Sequence, residues 1–221
     1  MKKLIAILFL TIIFSTTTNS QSRWALEIHS GQVFNVPMPL NIRQEAYPDI
    51  KLRARYSSES FILPVYWDIR IGRWQNERAW EFEAIHHKLY LNNTTSEVQK
   101  FNISHGFNLI MVNRGFEKKS FRYRAGAGMV LAHPESNIRG KEFGDSADDT
   151  DLGYYISGPV LNLSINKPFY IGSRFYINAE AKTTLAYSYI KVAQGNSDVY
   201  NIALHIILGL GADLIKPGKV E

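Results

Sequence analysis

Three side chains carry the residue types from which a hydrolytic or metal site is ordinarily built: His86, Ser104 and His105. Together with His87 they fall between Ala79 and Asn113, a stretch that holds three of the six histidines of the chain. In an acyl-transfer reading, His86 or His105 would act as general base, Ser104 as nucleophile, and a carboxylate would orient the base. In a metal reading, His86 would pair with His87 or His105. Adjacent strand residues point to opposite faces, so His86 and His87 do not share an ion easily, and no metal is expected.

The elements that must position these groups are two strands. In Ala79–Leu91, Trp80, Phe82 and Ala84 share one parity and Glu81 and Glu83 the other. In Phe101–Met111, Phe101, Ile103, Phe107 and Leu109 oppose Asn102, Ser104, Gly106 and Asn108. Strict alternation marks strands with one apolar and one polar face. Continued along each strand, it places His86 and His105 on the apolar face and Ser104 on the polar one. On that basis the catalytic set does not close, and the expected role is non-catalytic.

The chain has 221 residues, a net charge of +5 and no cysteine, which excludes thiol catalysis, thiolate metal sites and a disulfide framework. No basic block of the kind that tracks a nucleic-acid backbone is present. Lys2 and Lys3 precede an apolar run from Leu4 to Phe14 and a small polar segment to Ser22. This is the pattern of an export signal, expected to be cleaved after Ser20. Residues 21–48 read either as an N-terminal arm or as an extra strand: Trp24, Leu26 and Ile28 alternate with Ala25, Glu27 and His29, but Pro37, Pro39 and Pro48 interrupt.

From Ile50 onward eight segments alternate, at about 49–57, 62–74, 79–91, 99–113, 119–132, 155–166, 173–188 and 199–215, followed by a short tail at 216–221. Three connections, at 74–78, 113–120 and 166–173, are short; those at 91–98, 133–154 and 188–199 are longer and polar. Aromatics gather toward segment ends. The polar face carries Lys51, Arg53, Arg55, Asp68, Arg70, Glu81, Glu83, Arg122, Arg124, Glu180, Lys182 and Asp213, with Gly126, Gly128, Gly209 and Gly211. Mixed charges beside glycines suit a narrow lumen filled by ion pairs rather than a conducting pore. The predicted fold is therefore an all-β, up-and-down antiparallel transmembrane barrel of about eight strands, over 49–215.

Over that span the chain resembles the small eight-stranded outer-membrane barrels, a class that includes the membrane domain of outer-membrane protein A, a lipid A palmitoyltransferase and a lipid A deacylase. The resemblance implies a location in the outer membrane of a Gram-negative bacterium and loops, chiefly 133–154, that contact lipopolysaccharide or another partner. It also implies an alternative, a lipid A or phospholipid acyl-modifying enzyme using His86, Ser104 and His105, although Ile103-Ser104-His105-Gly106 is not the deacylase's His-x-Ser arrangement. A soluble periplasmic lipid carrier, with the apolar face inside, is a third reading. No cofactor is expected; the acidic loop 142–151 offers carboxylates for calcium without the spacing of a calcium hand.

Overall fold

A computed structural model describes residues 22–144 and 153–214. The expected export signal, the C-terminal tail and most of the acidic loop lie outside the described residues. Twelve strands follow one another: β1 (Ser22–Val36), β2 (Met38–Gln44), β3 (Ile50–Ala54), β4 (Tyr56–Ser57), β5 (Trp67–Gln75), β6 (Arg78–Leu91), β7 (Val98–Lys118), β8 (Phe121–Ile138), β9 (Lys141–Phe143), β10 (Tyr155–Ile171), β11 (Phe175–Val192) and β12 (Gly195–Asp213). Pairing runs from β1 through β5, β6, β7, β8, β10, β11 and β12 and returns to β1, all antiparallel. Eight strands thus close an up-and-down barrel, which leaves no edge unpaired along its main wall.

The first of the eight is the segment that sequence reading left open as an arm or extra strand. β1 pairs with β12 from Ala25↔Asp213 to Val36↔Ile202, and β2 continues the same line with Leu40↔Val199. Pro37 interrupts the ladder without diverting the chain, as proline does at a bulge. The segments read as separate strands at 49–57 and 62–74 share one place in the wall instead. β3 pairs with β2, β4 with β6, and β5 with both β1 and β6. Between them Ser58–Tyr66 leaves the ladder, and Ser60 Oγ accepts from the Val33 amide at 3.3 Å in place of a strand partner.

Hairpins close tightly at the end where β1 begins. Lys119 and Ser120 both adopt positive φ between paired Lys118 and Phe121, the backbone of a turn whose twist matches its strands. At the other end β8, β11 and β12 run further than their alternation suggested, and Val192 pairs directly with Gly195, while β7 extends toward the tight hairpin as far as Lys118. The expected polar loop at 188–199 is mostly strand.

Outside and inside carry opposite chemistry. The exterior is apolar on every wall: Ile28 and Phe34 on β1, Phe82 on β6, Leu163 on β10, Leu208 and Leu210 on β12 are all exposed, Leu210 at 69%. Aromatic rings edge this band, with Trp24, Trp80, Phe116, Tyr123, Phe169 and Phe175 toward the tight hairpins and Tyr154, Tyr189 and Tyr200 toward the other end. Arg114 lies over Trp80 and Phe116, and Lys167 over Phe121 and Phe169, the posture of cations reaching from an apolar belt toward water.

The interior is stratified. Its lower half is ionic, and its upper half is an apolar core that includes Leu40, Ile42, Leu89, Phe101, Ile103, Phe107, Val130 and Val199. Here the structure corrects the parity expectation for β7: Phe101, Ile103, Phe107 and Leu109 are wholly buried inside, not turned to the exterior. Alternation identifies two faces, and this apolar one fills the upper barrel.

Candidate functional site

The lumen is closed by one ionic lattice. Arg70 on β5 donates through Nη1 to Glu27 at 2.7 Å and through Nη2 to Glu180 at 2.9 Å, with Nε on Glu83 at 3.0 Å. Glu27 also accepts from Arg122 at 2.9 Å, Arg124 at 3.2 Å and the Tyr176 hydroxyl at 3.0 Å. Arg124 reaches Glu81 at 2.6 Å, and Lys182 bridges Asp68 and Glu83. Asn113 and Asn162 complete the coordination of Glu83. Buried charges are tolerated when opposite charges and hydrogen bonds meet them; most atoms of this lattice are met in that way, while Asp68 Oδ1 and Arg124 Nη1 are buried without a hydrogen-bond partner. Carboxylate and imidazole atoms converge at Glu27–His29–Glu180 and at Asp68–Glu83–Glu180. Arg70, Arg124 and Lys182 already occupy those positions as cations, so a metal ion would compete with the protein's own side chains.

Asp68, Arg70, Glu81, Glu83, Arg122, Arg124, Glu180 and Lys182 all lie within this lattice, and Asp213 lies at its lower end beside Arg23 and Tyr170. Arg53 and Arg55 do not. Lys51 and Arg53 on β3 and Arg55 just after it are exposed, because β3 stands above the lattice, where the buried parity is that of Ile50 and Ala54. Sequence reading missed Glu27 and His29, the members that tie β1 in, although the alternation around Trp24 and Ile28 signalled them.

A second polar cluster sits on the outer rim. The β7–β8 ladder pairs Asn102 with Glu135 and then Gly106 with His133, so Ile103, Ser104 and His105 face Pro134 alone. This bulge breaks the rule that neighbours point apart. Ser104 donates to Glu135 Oε1 at 2.8 Å, His105 Nδ1 meets the same oxygen, and Lys100 Nζ lies 2.8 Å from Oε2. The His105 and His133 rings stand 4.8 Å apart, Tyr154 meets His133 edge-on at 5.2 Å, and its hydroxyl donates to the His105 carbonyl.

The structure therefore brings Ser104 and His105 together and leaves His86 out. His86, on the exterior parity of β6, hydrogen-bonds Asn108 at 2.8 Å and stacks on Trp67. His87 points inward toward His205 and Asn35. His86 and His87 thus face opposite sides of the wall. In the rim cluster the carboxylate lies between serine and histidine. A serine hydrolase needs the imidazole there, to take the serine proton. As arranged, the cluster holds a carboxylate in place and presents His105, 59% exposed at its side chain, to the surroundings.

No family model and no curated protein matches the chain. Among solved structures, it is similar in outline to Neisserial surface protein A (10% identity, TM-score 0.36, covering 87% of this chain and 97% of that one). It is also similar to the attachment invasion locus protein Ail of Yersinia pestis (8%, 0.33, 86% and 99%) and to the outer membrane protein OprG of Pseudomonas aeruginosa (11%, 0.35, 87% and 94%).

Proposed function

We propose that this protein is an integral outer-membrane β-barrel with a sealed lumen. Its role would be non-catalytic, its outer rim and loops contacting lipopolysaccharide or another envelope partner. The observation that carries this reading is the inversion of polarity: an exposed apolar band bounded by aromatics surrounds a buried ionic lattice. A soluble protein would leave that band in water at a cost of roughly 25 cal/mol per Å², whereas a bilayer is its matching solvent. A soluble lipid carrier needs an apolar, open interior, and the lower half here is filled with ion pairs.

Fractionation followed by comparison of heated and unheated gel samples tests it. Membrane recovery with heat-modifiable migration is the expected result; a soluble product would overturn it.

One observation favours a second reading, acyl modification of an outer-leaflet lipid. Ser104, His105 and Glu135 converge on the rim of the barrel, at the end away from the tight hairpins. That chemistry requires His105 to turn its ring onto Ser104. If it operates, lipid A from cells with the protein differs in acylation from that of cells without it, and His105→Ala removes the difference. Identical lipid A mass spectra with and without the protein would exclude it.

A further inference from the structure

Two grooves on the outside of the barrel meet at Met38. The upper one, about 520 Å³, lies on the β2–β3 hairpin between Pro37, Pro39 and Leu52, with Lys51 and Arg53 on its wall. The lower one, about 400 Å³, runs down β10, β11 and β12 between Leu161, Leu185, Tyr200 and Ile202. Met38 borders both, and β2 pairs with β12, so the two grooves adjoin on a single wall.

Their chemistries differ in the order a lipid requires. The lower groove lies within the apolar band and ends at the Tyr187–Tyr200 ring pair, whose centroids are 5.3 Å apart. The upper groove lies just beyond it. There Arg43 is paired with Asp198 at 2.6 Å, and Asp198 also accepts from Tyr187 at 2.9 Å. Lys51 and Arg53 have no carboxylate at ion-pair distance among the described residues; Arg53 donates only to the Pro37 carbonyl, at 3.3 Å. Two cations without counter-ions stand above an apolar slot, and arginine and lysine are the side chains that bind phosphate oxygens.

We infer that these two adjoining grooves together are a binding site for a phosphate-bearing lipid of the outer leaflet. The phosphate lies against Lys51 and Arg53, and one acyl chain lies along Leu161, Leu185 and Ile202. Arg43, held by Asp198, keeps the hairpin upright and is a positioning residue rather than a ligand. The inference rests on the barrel being membrane-inserted, and it locates a lipid contact on the wall rather than in the 133–154 loop.

The test uses the full chain purified in detergent, native mass spectrometry, and bis-phosphorylated lipid A as probe. One lipid is expected to remain bound, and Lys51→Gln with Arg53→Gln should weaken it about tenfold or more, as loss of two cations at a lipid surface does. Ile202→Trp, which fills the lower groove and leaves the charges, should also release it. Dephosphorylated lipid A should bind no better than it does to the double variant. Equal retention of the phosphorylated lipid by wild type and double variant would overturn the inference, as would inorganic pyrophosphate competing as well as lipid A, since the groove would then contribute nothing. Heat-modifiable migration of each variant, measured alongside, separates these outcomes from failure of the barrel itself.

Discussion

Arg70 Nη1 lies 2.7 Å from Glu27 Oε2, and this bond ties the first strand of the barrel to its neighbour through the lumen. The same carboxylate accepts from Arg122 and Arg124 on β8, so Glu27 joins walls far apart in the chain. Its removal leaves three buried guanidinium groups short of a partner. Glu27→Ala is expected to destabilise the barrel by on the order of 3 kcal/mol, read as a lower midpoint for loss of the unheated gel band. Glu117→Ala, which removes a half-exposed partner of Arg23 and Arg122, should cost under about 1 kcal/mol. Equal midpoints for the two variants would contradict the role of Glu27 as the hub.

The lattice also makes a statement about transport. Arg70, Glu83, Glu180 and Lys182 meet across the lumen with 0–1% side-chain exposure, and the space above them is an apolar core. An eight-stranded barrel has an interior about filled by its own side chains. Planar-bilayer recordings should show no steady conductance at neutral pH; discrete channel steps from the wild-type protein would refute a sealed lumen.

The rim cluster should report pH. The Glu135 carboxylate is held by Lys100, Ser104 and His105. Protonating it in acid removes the charge that Lys100 meets. Protection of the 102–106 bulge from hydrogen exchange, corrected for the intrinsic pH dependence of amide exchange, is therefore expected to be full at neutral pH and to fall in acid. In Glu135→Gln that fall should be absent and protection lower throughout. A bulge with the same pH profile in both proteins would show that Glu135 does not hold it.

Close packing in the lower barrel predicts a glycine requirement. A side chain at Gly211 would run into the Tyr176 ring, which is held by Glu27 and lies 4.7 Å from the Arg122 guanidinium. Gly211→Val should lose the heat-modifiable form, and Tyr176→Ala in the same chain should restore part of it by vacating that space. Rescue is the informative outcome, since a structural defect unrelated to Tyr176 would persist.

The repeating alternation, the mixed charges beside glycines and the tight hairpins were all legible in the order of residues. They determined an antiparallel barrel with an ionic face and an apolar face, because side chains change sides at every strand residue. Residues 22–36 carried the same signal, but whether they join the wall depended on β12, nearly two hundred residues away, closing against them. The periodicity could not say which face turns inward at each height. Phe101 and Phe107 obey the same alternation as Trp80 and Phe82 yet fill the upper core, and Arg53 and Arg55 stand outside rather than in the lumen. Ser104 and His105 meet on one carboxylate only because β7 bulges opposite Pro134, which suspends the rule that neighbours point apart. Local sequence thus set the two faces and their chemistry. The closed pairing of distant strands, with its bulges, decided which face is enclosed, and so where charge is locked inside and where it is left free at the surface.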